Sequence, residues 1–164
     1  MRAVEDVILV AFVVAVVYTD WRYRRIPNAF TYPVMAAGLV LGALEGVPGE
    51  LMAKGLFDHV AGLVVGFLVA YPFYAGGGLK AGDGKFLMAV GAVKGTLFLF
   101  QAAVWGALIG GVIAIGFIVA RRVAAQRAGS GETIGGLLHT WIPYGVALGL
   151  GALVALGIEI RGLS

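Results

Sequence analysis

Gly76-Gly77-Gly78-Leu79-Lys80-Ala81-Gly82-Asp83-Gly84-Lys85 lies between two apolar runs, with Val60 to Leu79 leading into it and Phe86 to Val93 leading away. Glycine frees the backbone from the conformations that suit a regular helix and lets another segment come close. The stretch therefore reads as a loop. Val60 to Leu79 is uncharged and has the length of a membrane span, about 20 residues. An ionisable side chain set against membrane-length apolar sequence is unfavourable to keep there, and it marks a functional position. Asp83 is such a residue.

Outward from this centre the pattern repeats. Ile26 to Leu44, Gly95 to Ala120 and Thr133 to Ile158 are further uncharged runs of spanning length, while Val7 to Tyr18 and Phe86 to Val93 are shorter. Glu45 to Glu50 is a turn by its Gly and Pro content, and Val123 to Thr133 reads as an exposed loop. The expectation is an all-α, polytopic membrane protein with six transmembrane helices, the first and fourth short, forming one domain over residues 1–164.

Composition agrees. The chain is 60% hydrophobic and 13% charged, with a mean hydropathy of +0.96, against roughly 45–50% apolar and about 25% charged in soluble domains. It holds no cysteine, which excludes disulfides, thiolate metal ligands and cysteine nucleophiles. Two histidines, His59 and His139, argue against a histidine-built metal site, and no cofactor is expected. Glu5 and Asp6 occupy the place of a basic signal-peptide n-region, so the first apolar segment reads as retained.

The net charge of +3 reflects loop asymmetry rather than nucleic-acid binding. Arg22, Arg24, Arg25, Lys80, Lys85, Arg121, Arg122 and Arg127 fall in the loops of one side. Basic residues mark the cytoplasmic face, which places Asp83 and a second aspartate, Asp20, on that side. Lys80 to Lys85 is not a phosphate-binding loop, because Leu79 and Phe86 stand where Gly and Ser or Thr are needed. Each aspartate alone suits a helix cap. Together, two carboxyls within reach of one another hold a proton between them. One then activates water while the other protonates a carbonyl, the chemistry of aspartic peptidases. His139 reads as a packing residue, and Trp21, Tyr23, Tyr32 and Trp141 as interfacial anchors.

Three segments carry a resemblance. Asp20 followed by Arg24-Arg25-Ile26-Pro27-Asn28, Ala81-Gly82-Asp83-Gly84-Lys85-Phe86, and Ile142-Pro143-Tyr144-Gly145 are similar to signatures of the type IV prepilin peptidases, membrane aspartic peptidases with a Gly-x-Gly-Asp motif. Lys80 stands where the family has its first motif glycine. The resemblance implies catalytic Asp20 and Asp83, a supporting loop of Gly82, Gly84 and Lys85, and removal of the leader from prepilin-like substrates (type IV pilin, Tad pilin or archaellin-like) at the cytoplasmic face of the cell membrane. The cysteine-bearing insert and methyltransferase activity of larger members have no counterpart here, which implies a short, peptidase-only form. Its partners are then the lipid bilayer and prepilin-like proteins, with no nucleic acid. The rival reading is a small proton- or cation-coupled transporter or assembly subunit that uses the same two aspartates.

Reporter fusions test the sidedness. Fusions after Arg25, near Lys80 and near Arg127 should report cytoplasm, and those near Gly49 and at Ser164 the outside. An external signal at Arg127 breaks the six-span arrangement.

Overall fold

The computed structural model describes residues 2–45, 52–127 and 144–162. They form five helices: α1 Arg2–Tyr23, α2 Asn28–Leu44, α3 Met52–Ala75, α4 Ala81–Arg127 and α5 Tyr144–Ile160. No strand occurs among the described residues. The all-α expectation holds. Two stretches, Gly55–Ala75 and Ala81–Ala124, are long and apolar enough to cross a membrane.

The expected count of six helices differs from the five described because the fourth and fifth run together in α4. That helix is interrupted at Gly95, whose φ of 78° and ψ of −176° are not helical. A positive φ of this kind suits glycine, and the break falls where the sequence places a boundary, just after Lys94. The Asp58 carboxylate of α3 fills the place of a side chain at position 95 and accepts the N–H of Thr96 at 3.2 Å. The expected turn at residues 46–50 and the start of the last span, with His139, Trp141, Ile142 and Pro143, lie outside the described residues.

The first helix is not short. Its apolar run ends at Asp6 and Asp20, yet α1 continues through both and spans 22 residues. Helix persists because the charges at its start are answered. Lys94, with 3% side-chain exposure, places Nζ 2.8 Å from Asp6 Oδ1, 2.9 Å from Glu159 Oε2 and 3.9 Å from Glu5 Oε2. This cluster joins α1, α4 and α5.

The N-terminal arm of α4 is the axis of the bundle. Phe86, Leu87, Ala89, Val90, Ala92 and Val93 are all buried, so the arm is covered on every face. Phe86 stacks on Phe12 of α1 with ring centroids 5.3 Å apart. Small residues let the other backbones approach: Gly38 of α2 abuts Ala92, Gly62 of α3 abuts Gly91, and Gly151 of α5 abuts Gly106. Helices in lipid associate through such contacts, since apolar burial gives them little drive to do so. The exterior is apolar as well, with Val7, Phe57, Leu97 and Val112 each about 70% exposed.

Packing this close predicts a contrast between glycines. Gly151→Leu should destabilise the detergent-solubilised protein by about 1–3 kcal/mol through overpacking. Gly111→Leu, at a site with nothing within 4 Å, should leave the thermal midpoint unchanged. Equal midpoints for the two variants would refute the α4–α5 contact.

Candidate active site

Asp20 comes from the last full turn of α1. The preceding Thr19 satisfies its hydroxyl within the helix, donating to the carbonyls of Ala15 at 2.9 Å and Val16 at 3.2 Å. The helix stops at Arg24, whose φ of 55° lies in the left-handed region that few non-glycine residues adopt. Its N–H still reaches the Asp20 carbonyl at 2.9 Å. Pro27, extended at φ −69° and ψ 140°, then feeds α2, which Asn28 opens. This short reversal brings Ile26 and Asn28 alongside the start of α4.

Asp83 sits in the first turn of α4. The N–H of Lys80 donates to Asp83 Oδ2 at 3.1 Å, and Gly84 N–H donates to the Lys80 carbonyl at 3.3 Å. Lys80 is thus the residue that caps the helix, and Asp83, three residues on, reaches back to its amide as the acid of a capping box does. The partial positive charge of a helix N-terminus favours a carboxylate there.

This arrangement corrects the reading of Gly82, Gly84 and Lys85 as a loop. The loop is shorter, from Gly76 to Lys80, and Gly82 onward is helical. The reversal is closed by Gly78 N–H to the Phe73 carbonyl at 2.8 Å, with Gly77 at a φ of 74°. Inside the helix the two glycines serve close packing. A Cβ on Gly82 would lie 3.1 Å from Ile26 Cβ, and one on Gly84 would lie 3.3 Å from Ala70 Cβ.

The two aspartates, 5% and 4% exposed, line one cavity of ≈ 280 Å³ together with Arg24, Arg25, Ile26, Asn28, Lys80, Ala81, Gly82 and Lys85. The charge of Lys80 acts on both carboxyls. Lys85 donates to Asn28 Oδ1 at 2.8 Å and lies over the Tyr32 ring, 5.0 Å from its centroid. Of the residues expected at the site, Asp20, Asp83, Gly82 and Lys85 share the cavity. Gly84 turns instead to a second, apolar cleft of ≈ 220 Å³, lined also by Phe67, Ala70, Tyr71, Tyr74 and Met88.

The last helix supplies a contact that the sequence reading did not assign. The N–H groups of Gly145 and Val146, in the first turn of α5, face the Asp20 carboxyl. Asp20 Oδ2 nevertheless makes no hydrogen bond of full geometry among the described residues. A Cβ on Gly145 would lie 2.7 Å from that oxygen, so α5 can cover Asp20 only with glycine there. Asn28 and Lys80 were also missed as cavity residues. Their signals were the chain reversal at Pro27 and the capping spacing to Asp83.

Such a cavity offers two carboxyls set to take and give protons beside space for water and a polar chain. Among curated proteins, the prepilin leader peptidase/N-methyltransferase of Escherichia coli (strain K12) is 31% identical over 153 residues, which cover 89% of this chain and 59% of the relative. The protein of the same name from Aeromonas salmonicida (strain A449) is 31% identical over 116 residues, 66% of this chain and 38% of the relative. That of Bacillus subtilis (strain 168) is 24% identical over 152 residues, 91% of this chain and 53% of the relative. The chain therefore spans between 38% and 59% of the length of these relatives. No solved structure matches it. Residues 7–115, which contain both aspartates and the described residues that line their cavity, match the type IV leader peptidase family, and the chain belongs to that family.

Proposed function

We propose that this chain is an aspartic endopeptidase that removes the leader from prepilin-like precursors, with Asp20 and Asp83 as its catalytic pair. The observation that carries this reading is the convergence of two buried aspartates from α1 and α4 on one polar cavity. One carboxylate takes a proton from water as the water attacks the scissile carbonyl carbon. The other carboxyl gives its proton to the carbonyl oxygen. Collapse of the tetrahedral intermediate then breaks the C–N bond, and the amine leaves with a proton returned by the pair. Lys80 N–H on Asp83 Oδ2 fixes the orientation of that carboxyl, and the close approach of Gly145 confines that of Asp20. Gly82 lets Ile26 pack against the start of α4, and Lys85 stands at the cavity's edge.

On this reading the chain crosses the cell membrane six times, with α4 counting as two spans divided at Gly95, and the cavity opens to the cytoplasm beside its basic residues. The peptidase reaction is the one proposed for this chain, whose α1 and α2 are joined by a short connection from Arg24 to Pro27. The substrate's leader would enter the polar cavity while its apolar helix lies against the neighbouring cleft.

Co-expression with a prepilin-like substrate, read by gel shift, tests the catalytic pair. Asp20→Asn and Asp83→Asn should each abolish cleavage while the protein stays in the membrane, so uncleaved precursor accumulates. Full processing by either variant would remove that residue from catalysis, and a transporter using the same aspartates would leave processing untouched.

Gly145→Ala should reduce cleavage by about ten-fold or more, since a displacement of roughly 1 Å at a reacting group costs on that order or beyond. Membrane insertion and thermal midpoint should change far less. Wild-type cleavage by Gly145→Ala would show that α5 does not position Asp20.

A further inference from the structure

The end of the bundle opposite the aspartate cavity holds a second cluster. Glu5 lies at the start of α1, roughly 22 Å along that helix from Asp20 at about 1.5 Å per residue. Glu45 follows the last residue of α2, and His59 lies in α3. One ligand-type atom from each falls within 4.8 Å of the others. The three residues come from three different helices, so the fold and not local sequence assembles them.

The histidine is set in one tautomer. His59 Nδ1 lies 2.7 Å from the Ala92 carbonyl, which can only accept, so Nδ1 carries a proton and Nε2 is the nitrogen left to bind an ion. Metal-ligating histidines are oriented in this way, through a hydrogen bond from the nitrogen that does not bind the ion. The ring rests on Gly42, where a Cβ would lie 2.6 Å from its Cγ. Nε2 points to Glu45 Oε2 at 3.7 Å. That gap is longer than a hydrogen bond and close to the separation of about 3.3 Å between two ligands on a tetrahedral zinc with bonds of about 2.0–2.2 Å.

Glu5 supplies the independent sign. Its side chain is 7% exposed, and its Oε1 has no hydrogen-bond partner among the described residues. Lys94 lies 3.9 Å from the other oxygen, and the same ammonium also holds Asp6 and Glu159. A buried carboxylate oxygen with no hydrogen-bond partner among the described residues thus stands beside a second carboxylate and an imidazole nitrogen, a donor set suited to a cation.

We propose that Glu5, Glu45 and His59 bind one divalent transition-metal ion, zinc by the match of imidazole and carboxylate donors, clasping α1, α2 and α3 at the end away from the aspartates. Two carboxylates neutralise the ion, His59 Nε2 supplies the nitrogen donor, and a fourth position is left to water, since Glu45 is partly exposed. The clasp takes no part in peptide cleavage. A proton shared between Glu5 and Glu45 is the competing occupant, and metal titration separates the two.

The test uses the full chain, purified in detergent without a histidine tag and stripped with EDTA. Titrated zinc should bind saturably at about one ion per chain and raise the thermal midpoint, while magnesium should do neither. Glu5→Gln and His59→Gln should each weaken zinc binding about ten-fold or more. Asp20→Asn combined with Asp83→Asn should bind zinc as the wild type does. Cobalt substituted in His139→Gln, which leaves His59 as the only imidazole, should show the paramagnetically shifted signals of one coordinated histidine; this holds even if the Glu5 and His59 variants fail to fold. Absence of saturable zinc binding, its persistence in His59→Gln, its loss with the aspartates, or no coordinated imidazole in His139→Gln would each overturn the proposal.

Discussion

The N-terminal arm of α4 carries a buried charge near each end, Asp83 and Lys94, and the rest of the bundle answers that constraint. Charge removed from water must find partners, and here they come from every side. At the Lys94 end, α1 and α5 bring Asp6 and Glu159. At the Asp83 end, the capping amide of Lys80 and the polar cavity shared with Asp20 take up the carboxyl. The two ends lie roughly 17 Å apart along the helix, with buried Phe86, Leu87, Ala89, Val90, Ala92 and Val93 between them.

Close backbone contact is what lets the partners reach. Gly38, Gly62 and Gly151 remove side chains where α2, α3 and α5 meet α4. Gly42 and Gly145 do the same over His59 and Asp20. Where glycine lies inside this bundle, the neighbour is usually a backbone or a polar side chain that has to be approached.

Much of this was legible in the sequence. Long uncharged runs showed an all-helical chain, and the charge at Lys94 followed by Gly95 marked the interruption of α4. The isolation of Asp20 and Asp83 among apolar residues singled out the pair that meets at the cavity. The length of α1 was not legible, because Glu5 and Asp6, charges that normally end an apolar span, are here paired with Lys94 far along the chain, and Asp20 is buried within the last turn. Gly82 and Gly84 look like a loop by composition, yet the bond from Lys80 N–H to Asp83 starts a helix through them. The cluster of Glu5, Glu45 and His59 left no local trace, since its members are brought together only by the packing of three helices, and a count of two histidines pointed away from it.

Lys85 and Ala81 line both the polar cavity and the apolar cleft, so the two spaces meet at a partition about one side chain thick. The lysine's methylene stem suits the apolar side and its ammonium the wet one. A chain lying across this partition would pass from an oily to an aqueous setting within about one residue, at roughly 3.3–3.6 Å per extended residue. An abrupt boundary of this kind acts as a ruler. For a peptide bound as proposed, the last apolar residue would halt at the lysine, and the bond presented to the carboxyls would be set by its distance from there.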